Sequence, residues 1–186
     1  MARLPVADIE TLDEAARANL LAAEKMLGFS PNDGLLMAHN LPLMQAFLKL
    51  VQTIYAPGKV SQELKRLLGL ITSAAAGCQY CQAHTTFSAH RLGVSEEKLR
   101  DVWTFAESAL YNDAERAALT VALKAGQSPN GVTDQDFAAL GEHFDLDAQL
   151  EIVAVISMFG FLNRWNSTLA TDLEAAPAAL WTQVER

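Results

Sequence analysis

Asn112 with Glu115 and Thr133 with Asp136 each set a capping oxygen three residues ahead of an acid, and Thr11 with Glu14 repeats the spacing. An oxygen and a carboxylate so placed satisfy free N–H groups at a helix start, so each pair predicts a helix N-terminus. Ser61 and Ser95 offer further caps, and Gly28, Gly77 and Gly93 stand where helices should stop. Between these signals no segment sustains the period-2 alternation, bounded by hairpin turns, that strands need. Even the β-branched "VAVIS" lies inside a longer apolar stretch with a helical frame. The chain is therefore expected to be all-α.

The signals divide it into about eight helices. The first follows Thr11 and ends at Gly28. "SPNDG" (30–34) reads as a turn, and a second helix runs from Leu35 to Ala56, interrupted near Pro42. A third spans Ser61 to about Ala76, a fourth runs from the cysteine segment to near Gly93, and a fifth starts at Ser95 with Glu96 and Arg100 spaced as an i,i+4 pair. A sixth starts at Asn112, a seventh at Thr133, and a last long helix runs from near Asp147 past Trp165. At 186 residues the chain fits one domain, a single helical bundle in which residues 1–60 supply N-terminal helices packed on a core of residues 61–186.

Charge and hydropathy exclude some functions. A net charge of −8 and a pI near 4.9 disfavour nucleic acid, whose phosphates an acidic surface repels. No basic run suggests an anionic membrane surface. "MARLPVADIE" lacks the apolar core of a secretory signal. The most apolar run, Ile152 to Leu162, has 11 residues, short of the ~20 that cross a bilayer, and reads as a buried helix. The expected compartment is the reducing cytoplasm, where a close cysteine pair serves catalysis or metal binding more often than stapling.

That pair is Cys78-x-x-Cys81, the only cysteines of the chain, within "AAAGCQYCQAHTTF" (74–87). Gly77 breaks the preceding helix and sets Cys78 at the next helix start, where unpaired N–H groups and the positive end of the dipole favour thiolate. Residues three apart share a helix face, so the sulfurs can meet, and His84 lies on the same face for proton transfer. Three readings fit: a redox dithiol, a zinc site completed by His84 and one further ligand, and two small buried apolar side chains. A structural zinc site wants four ligands, and cysteine supplies only two here, so the dithiol is preferred and no metal is expected. A thioredoxin-like setting would need a preceding strand. No G-x-G-x-x-G or P-loop is present, and no cofactor is expected.

The stretch "ELKRLLGLITSAAAGCQYCQAHTTFSAHRLGV" resembles the AhpD-like branch of the carboxymuconolactone decarboxylase family, whose members carry a C-x-x-C at a helix start and a nearby His; "FGFLNRWNSTLATDLE" (159–174) resembles the tail of a peroxidase-related subgroup. The resemblance implies an all-helical AhpD-like fold, homo-oligomeric assembly and reduction of small hydroperoxides, with Cys81 attacking, Cys78 resolving, and a dithiol or lipoyl-type donor regenerating the pair. Two positions depart from the family pattern. The family's proton-carrying Glu, twelve residues before the first cysteine, is here Arg66, and the nearest acid is Glu63. The family's His position is Thr85, with His84 one residue early, a rotation of about 100° about the helix axis. Arg66 can stabilise a thiolate but not transfer protons, leaving His84 or a water held by Glu63 for that task. Tyr80, between the cysteines, is expected to shield the sulfurs or line the pocket. Asn163, Arg164, Trp165 and Asn166 interrupt an apolar helix, as an exit to solvent, a subunit contact or a polar wall of the site. Two other functions stay open: a lactone enzyme of the decarboxylase type, and a non-catalytic redox-sensing oligomer.

Overall fold

The computed structural model describes residues 1–184, which are all-helical. Its α-helices are α1 (Glu14–Leu27), α2 (Asn32–Met37), α3 (Leu41–Ile54), α4 (Gln62–Ala75), α5 (Gln79–Arg91), α6 (Glu96–Arg100), α7 (Asp113–Ala125), α8 (Asp134–Gly141), α9 (Leu146–Leu169) and α10 (Ala175–Val184). Short 3-10 turns cover Ile9–Thr11 and Asp101–Thr104.

Most caps fall where the sequence places them. Asn112 with Glu115 and Thr133 with Asp136 close reciprocal capping boxes on α7 and α8, and Ser61 and Ser95 cap α4 and α6. At the N-terminus the readings need correction. Asp13, not Thr11, caps α1, its carboxylate accepting from Ala16 N at 2.7 Å, while the Thr11 hydroxyl bonds back to Asp8. "SPNDG" is more than a turn: α2 begins within it at Asn32. Pro42 ends no helix. It sits in the first turn of α3, where its missing N–H has no helical partner to lose, and Asn40 caps that turn through Leu43 N. The expected helix over 35–56 is thus two helices, and α10 is an addition beyond the last one expected.

Helix α4 is the centre of the bundle. Leu67, Leu68, Leu70 and Ile71 are all buried, so no face of its middle meets water, and it packs against α5, α7 and α9. Gly69 permits a close approach of α9: a β-carbon there would collide with the Phe159 ring. Lys65, also buried, directs its ammonium at the carbonyls of Ile54 (2.8 Å) and Ala56 (3.2 Å) and at Glu151 (3.0 Å). It closes the C-terminal end of α3, where carbonyls lack helical partners. By length and composition α9 could cross a membrane, yet Ile152, Val155, Met158 and Phe159 are buried in the bundle, as expected of a core helix.

Candidate active site

The turn between α4 and α5 builds the site. Gly77 takes φ 70°, a left-handed conformation that glycine adopts without steric cost. Its N–H donates to Ala74 O (3.0 Å) and Cys78 N–H to Ser73 O (2.9 Å), the paired bonds of a Schellman stop. The chain then re-enters a helix at once, with Cys78 as the N-cap of α5 and Cys81 in its first turn. Both cysteines are buried and unoxidised. The two thiols act on each other's acidity, Cys81 lowering Cys78 and Cys78 raising Cys81. The Cys81 amide also faces the Cys78 sulfur without closing a regular capping bond.

This arrangement separates the two acidities. Cys78 is held down at about 6, first by the Cys81 thiol, then by the Cys81 amide and the Ser167 hydroxyl, which together outweigh burial. Cys81 is driven well above the usual thiol range because its proton is engaged by Cys78 and because it is buried beside that charge. The pair therefore holds one proton, with the resting charge on Cys78. On its other side Cys81 Sγ accepts from Asn166 Nδ2 at 3.3 Å, and the Thr171 hydroxyl fixes that amide by donating to its Oδ1 at 2.8 Å.

A polar cluster stands beside the sulfurs. His84 Nε2 lies 2.5 Å from Glu174 Oε2, and Tyr80 donates its phenolic proton to Glu174 Oε1 at 2.9 Å. Asn32 N–H donates to the same oxygen at 2.5 Å. The Tyr80 ring stacks on the imidazole with centroids 4.2 Å apart. Burial alone would raise Glu174; its bonds to His84 and Asn32 outweigh that and hold it below the usual carboxylate range. Asp33, on α2, shows the opposite balance: burial raises it, and the His84 charge, the Gly34 amide and Asn166 only partly offset the rise. One carboxylate of the site is thus more acidic than usual, and the other less.

Cys81, Asp33, Tyr80 and His84 form the polar corner of a cavity of about 170 Å3, otherwise walled largely by apolar side chains such as Met44, Phe47, Leu48, Val51, Met158 and Phe159. Of the six residues singled out from sequence, Cys81, Tyr80, His84 and Arg66 line this cavity, Tyr80 is stacked on His84, and Cys78 acts on Cys81 from outside it. Arg66 lines the same cavity, but its guanidinium lies over the Tyr55 ring, 3.5 Å from the centroid. Thr85 donates its hydroxyl to Cys81 O within α5. Glu63 does not reach the site: it is exposed in the first turn of α4 and does not line the cavity. Sequence reasoning missed Asp33, Thr171 and Glu174. Asn166 carried a signal, an amide at a buried position of an apolar helix. Among the described residues, no group of three or more His, Cys, Asp or Glu is arranged to hold a metal ion.

A carboxymuconolactone decarboxylase family model matches residues 42–124. The uncharacterized protein YnjA of Escherichia coli (strain K12) is 33% identical over 92 residues, half of this chain and half of that protein, so the match spans about half the relative's length. Among solved structures, the debrominase Bmp8 is similar at 37% identity over 92% of each chain, with a TM-score of 0.87. A cysteine-to-alanine variant of Bmp8 in complex with 2,3,4-tribromopyrrole superposes with a TM-score of 0.88 at the same identity and coverage. The alkylhydroperoxidase AhpD core of a peroxidase-related protein from Ralstonia eutropha JMP134 is 26% identical over 95% of this chain and 94% of its own, with a TM-score of 0.85. Asp33, Asn166 and Glu174 lie outside the stretch that the family model matches. With its helical fold, its C-x-x-C at the start of α5 and these likenesses, the chain has the AhpD-like fold and is similar over residues 42–124 to the carboxymuconolactone decarboxylase family.

Proposed function

We propose that the chain is a dithiol oxidoreductase that delivers two electrons to a small apolar electrophile, with a hydroperoxide as substrate. One placement carries the reading: Cys81 closes the end of an apolar cavity beside two acid–base groups, Asp33 and His84, with Cys78 directly behind it. Apolar cavities of ~150 Å3 hold a molecule the size of benzene, so a cavity of about 170 Å3 suits a short alkyl or aryl hydroperoxide.

The steps balance as follows. Cys81 attacks the terminal peroxide oxygen while its proton passes to the Cys78 thiolate. The O–O bond breaks, Cys81 becomes a sulfenic acid, and the leaving alkoxide takes a proton from the Asp33 carboxyl, whose hold on its proton burial strengthens. Cys78 then attacks the Cys81 sulfur, its proton leaves with the hydroxide as water, and the disulfide forms. His84, held by Glu174, returns a proton to Asp33 from solvent. A dithiol donor restores both thiols.

A second reading, reductive dehalogenation, is favoured by the likeness to Bmp8 and by the shape and apolarity of the cavity. Cys81 would take bromine from an aryl ring, the same acids would protonate the ring carbon, and Cys78 would displace bromide to close the same disulfide. Turnover of cumene hydroperoxide and of 2,3,4-tribromopyrrole, each with dithiothreitol, tests both. Wild-type turnover is expected with at least one substrate, none with Cys81→Ser, and a single event that stalls with Cys78→Ser. Turnover that survives both substitutions would reject dithiol chemistry and favour a lactone-type reaction.

A further inference from the structure

The two sulfurs open onto different spaces. Cys81 faces the apolar cavity, whereas Cys78 lies at the floor of a surface groove of about 440 Å3, formed with Gly77, Gln79, Ser167, Thr171 and Leu173. The residues lining the two spaces have Tyr80 alone in common. Tyr80 is held as a partition, stacked on His84 and bonded to Glu174. We propose that the dithiol is served from two sides: the oxidising substrate meets Cys81 in the cavity, and a slender thiol donor enters the groove and attacks Cys78. This rests on the reading of the pair as a cycling dithiol.

The groove specifies the donor. Cys78 is only 2% exposed, so a thiol set flush in a protein surface cannot reach it, and a small dithiol or one on a flexible arm can. Gln79, Ser167 and Thr171 make the walls polar, and the Asp172 carboxylate in the groove is paired at 2.9 Å with the Met1 ammonium, which lines it too, so the groove selects a narrow, polar donor and not a charge. The chemistry closes on the protein's own groups. The donor thiolate bonds to Cys78 Sγ and the Cys78–Cys81 bond breaks. Cys81 departs as a thiolate, received by the Asn166 amide at 3.3 Å, and takes up the proton the donor lost. The donor's second thiol then attacks its own sulfur in the mixed disulfide and expels Cys78, the better leaving thiolate of the two. The donor ends as a disulfide and both protein sulfurs are reduced.

The test separates the half-reactions. Protein oxidised with diamide is mixed with dithiothreitol and disulfide reduction is timed; reduced protein is mixed with cumene hydroperoxide and disulfide formation is timed. Gln79→Trp, at an exposed position on the rim, narrows the groove without touching the cavity. It is expected to slow reduction at least tenfold and to leave oxidation within twofold. Leu48→Trp, which narrows the cavity, should do the reverse. If Gln79→Trp slows both half-reactions equally, or slows oxidation alone, both sulfurs are served from one side and the proposal is overturned. If diamide forms no Cys78–Cys81 disulfide, the dithiol reading falls as well; if it forms and Gln79→Trp reduces at the wild-type rate, only the two-sided reading falls.

Discussion

The separation of the two sulfurs' acidities can be tested by removing the group most responsible for it. With Cys78 held at about 6, it is about 90% thiolate at pH 7, whereas an ordinary thiol of pKa ~8.5 is only about 3% ionised, a ratio of roughly 30. The first cause is the Cys81 thiol. Cys81→Ala removes that donor but leaves the amide end of α5, so the midpoint should rise by at least about one unit while staying below ~8.5. Cys81→Ser, whose hydroxyl can donate, should restore part of the depression. Thiolate absorbance in the ultraviolet, followed against pH, reads this directly. Wild-type protein should gain one thiolate with a midpoint near 6 and no second one over the range in which it stays folded. The reasoning is refuted if both thiols titrate together near the ordinary value, or if Cys78→Ala retains the low midpoint, which would move the resting charge to Cys81.

Other outcomes follow from the neighbouring groups. Asp33 is raised by burial, so its contribution to stability is complete below its unfolded pKa near ~3.9 and is lost as pH rises through the folded value; Asp33→Asn should therefore gain thermal stability over wild type as pH increases from 4, while losing turnover. Glu174 is lowered, so its contribution is present above ~4.3 and fades as pH falls through the folded value; Glu174→Gln should destabilise by about 1–3 kcal/mol in urea unfolding at pH 7, and by less in acid. Gly69→Ala drives a methyl into Phe159, a cavity wall, and should cost about 1–3 kcal/mol together with a raised KM.

What the sequence disclosed about the site is its local half. Gly77, the cysteine spacing and His84 fall within eight residues, and helix geometry relates them without reference to the rest of the fold. The other half is assembled across the chain. Tyr80 meets the Asp33 amide 47 residues away, Cys81 meets Asn166 at a separation of 85, and His84 meets Glu174 at 90. No periodicity encodes such contacts, so Asp33 read as a turn residue and Glu174 as the end of a tail. The resemblance instead drew attention to Glu63, because it is the acid nearest in sequence to the position held by Arg66. In space the acids beside the sulfurs come from α2 and from the segment after α9. The all-helical architecture was legible; of the short helices beyond those expected, α10 has Pro177 in its first turn and no acid there, so the burial of Leu180 and Trp181 marks it more than any capping signal does.

Reacting the reduced protein with one equivalent of cumene hydroperoxide, then counting free thiols and mapping the oxidised peptides, addresses the central claim directly. The account predicts two free thiols before and none after, with Cys78 joined to Cys81 within one chain and one molecule of alcohol released. Two thiols still free after the peroxide has been offered, or a disulfide linking separate chains, would contradict it.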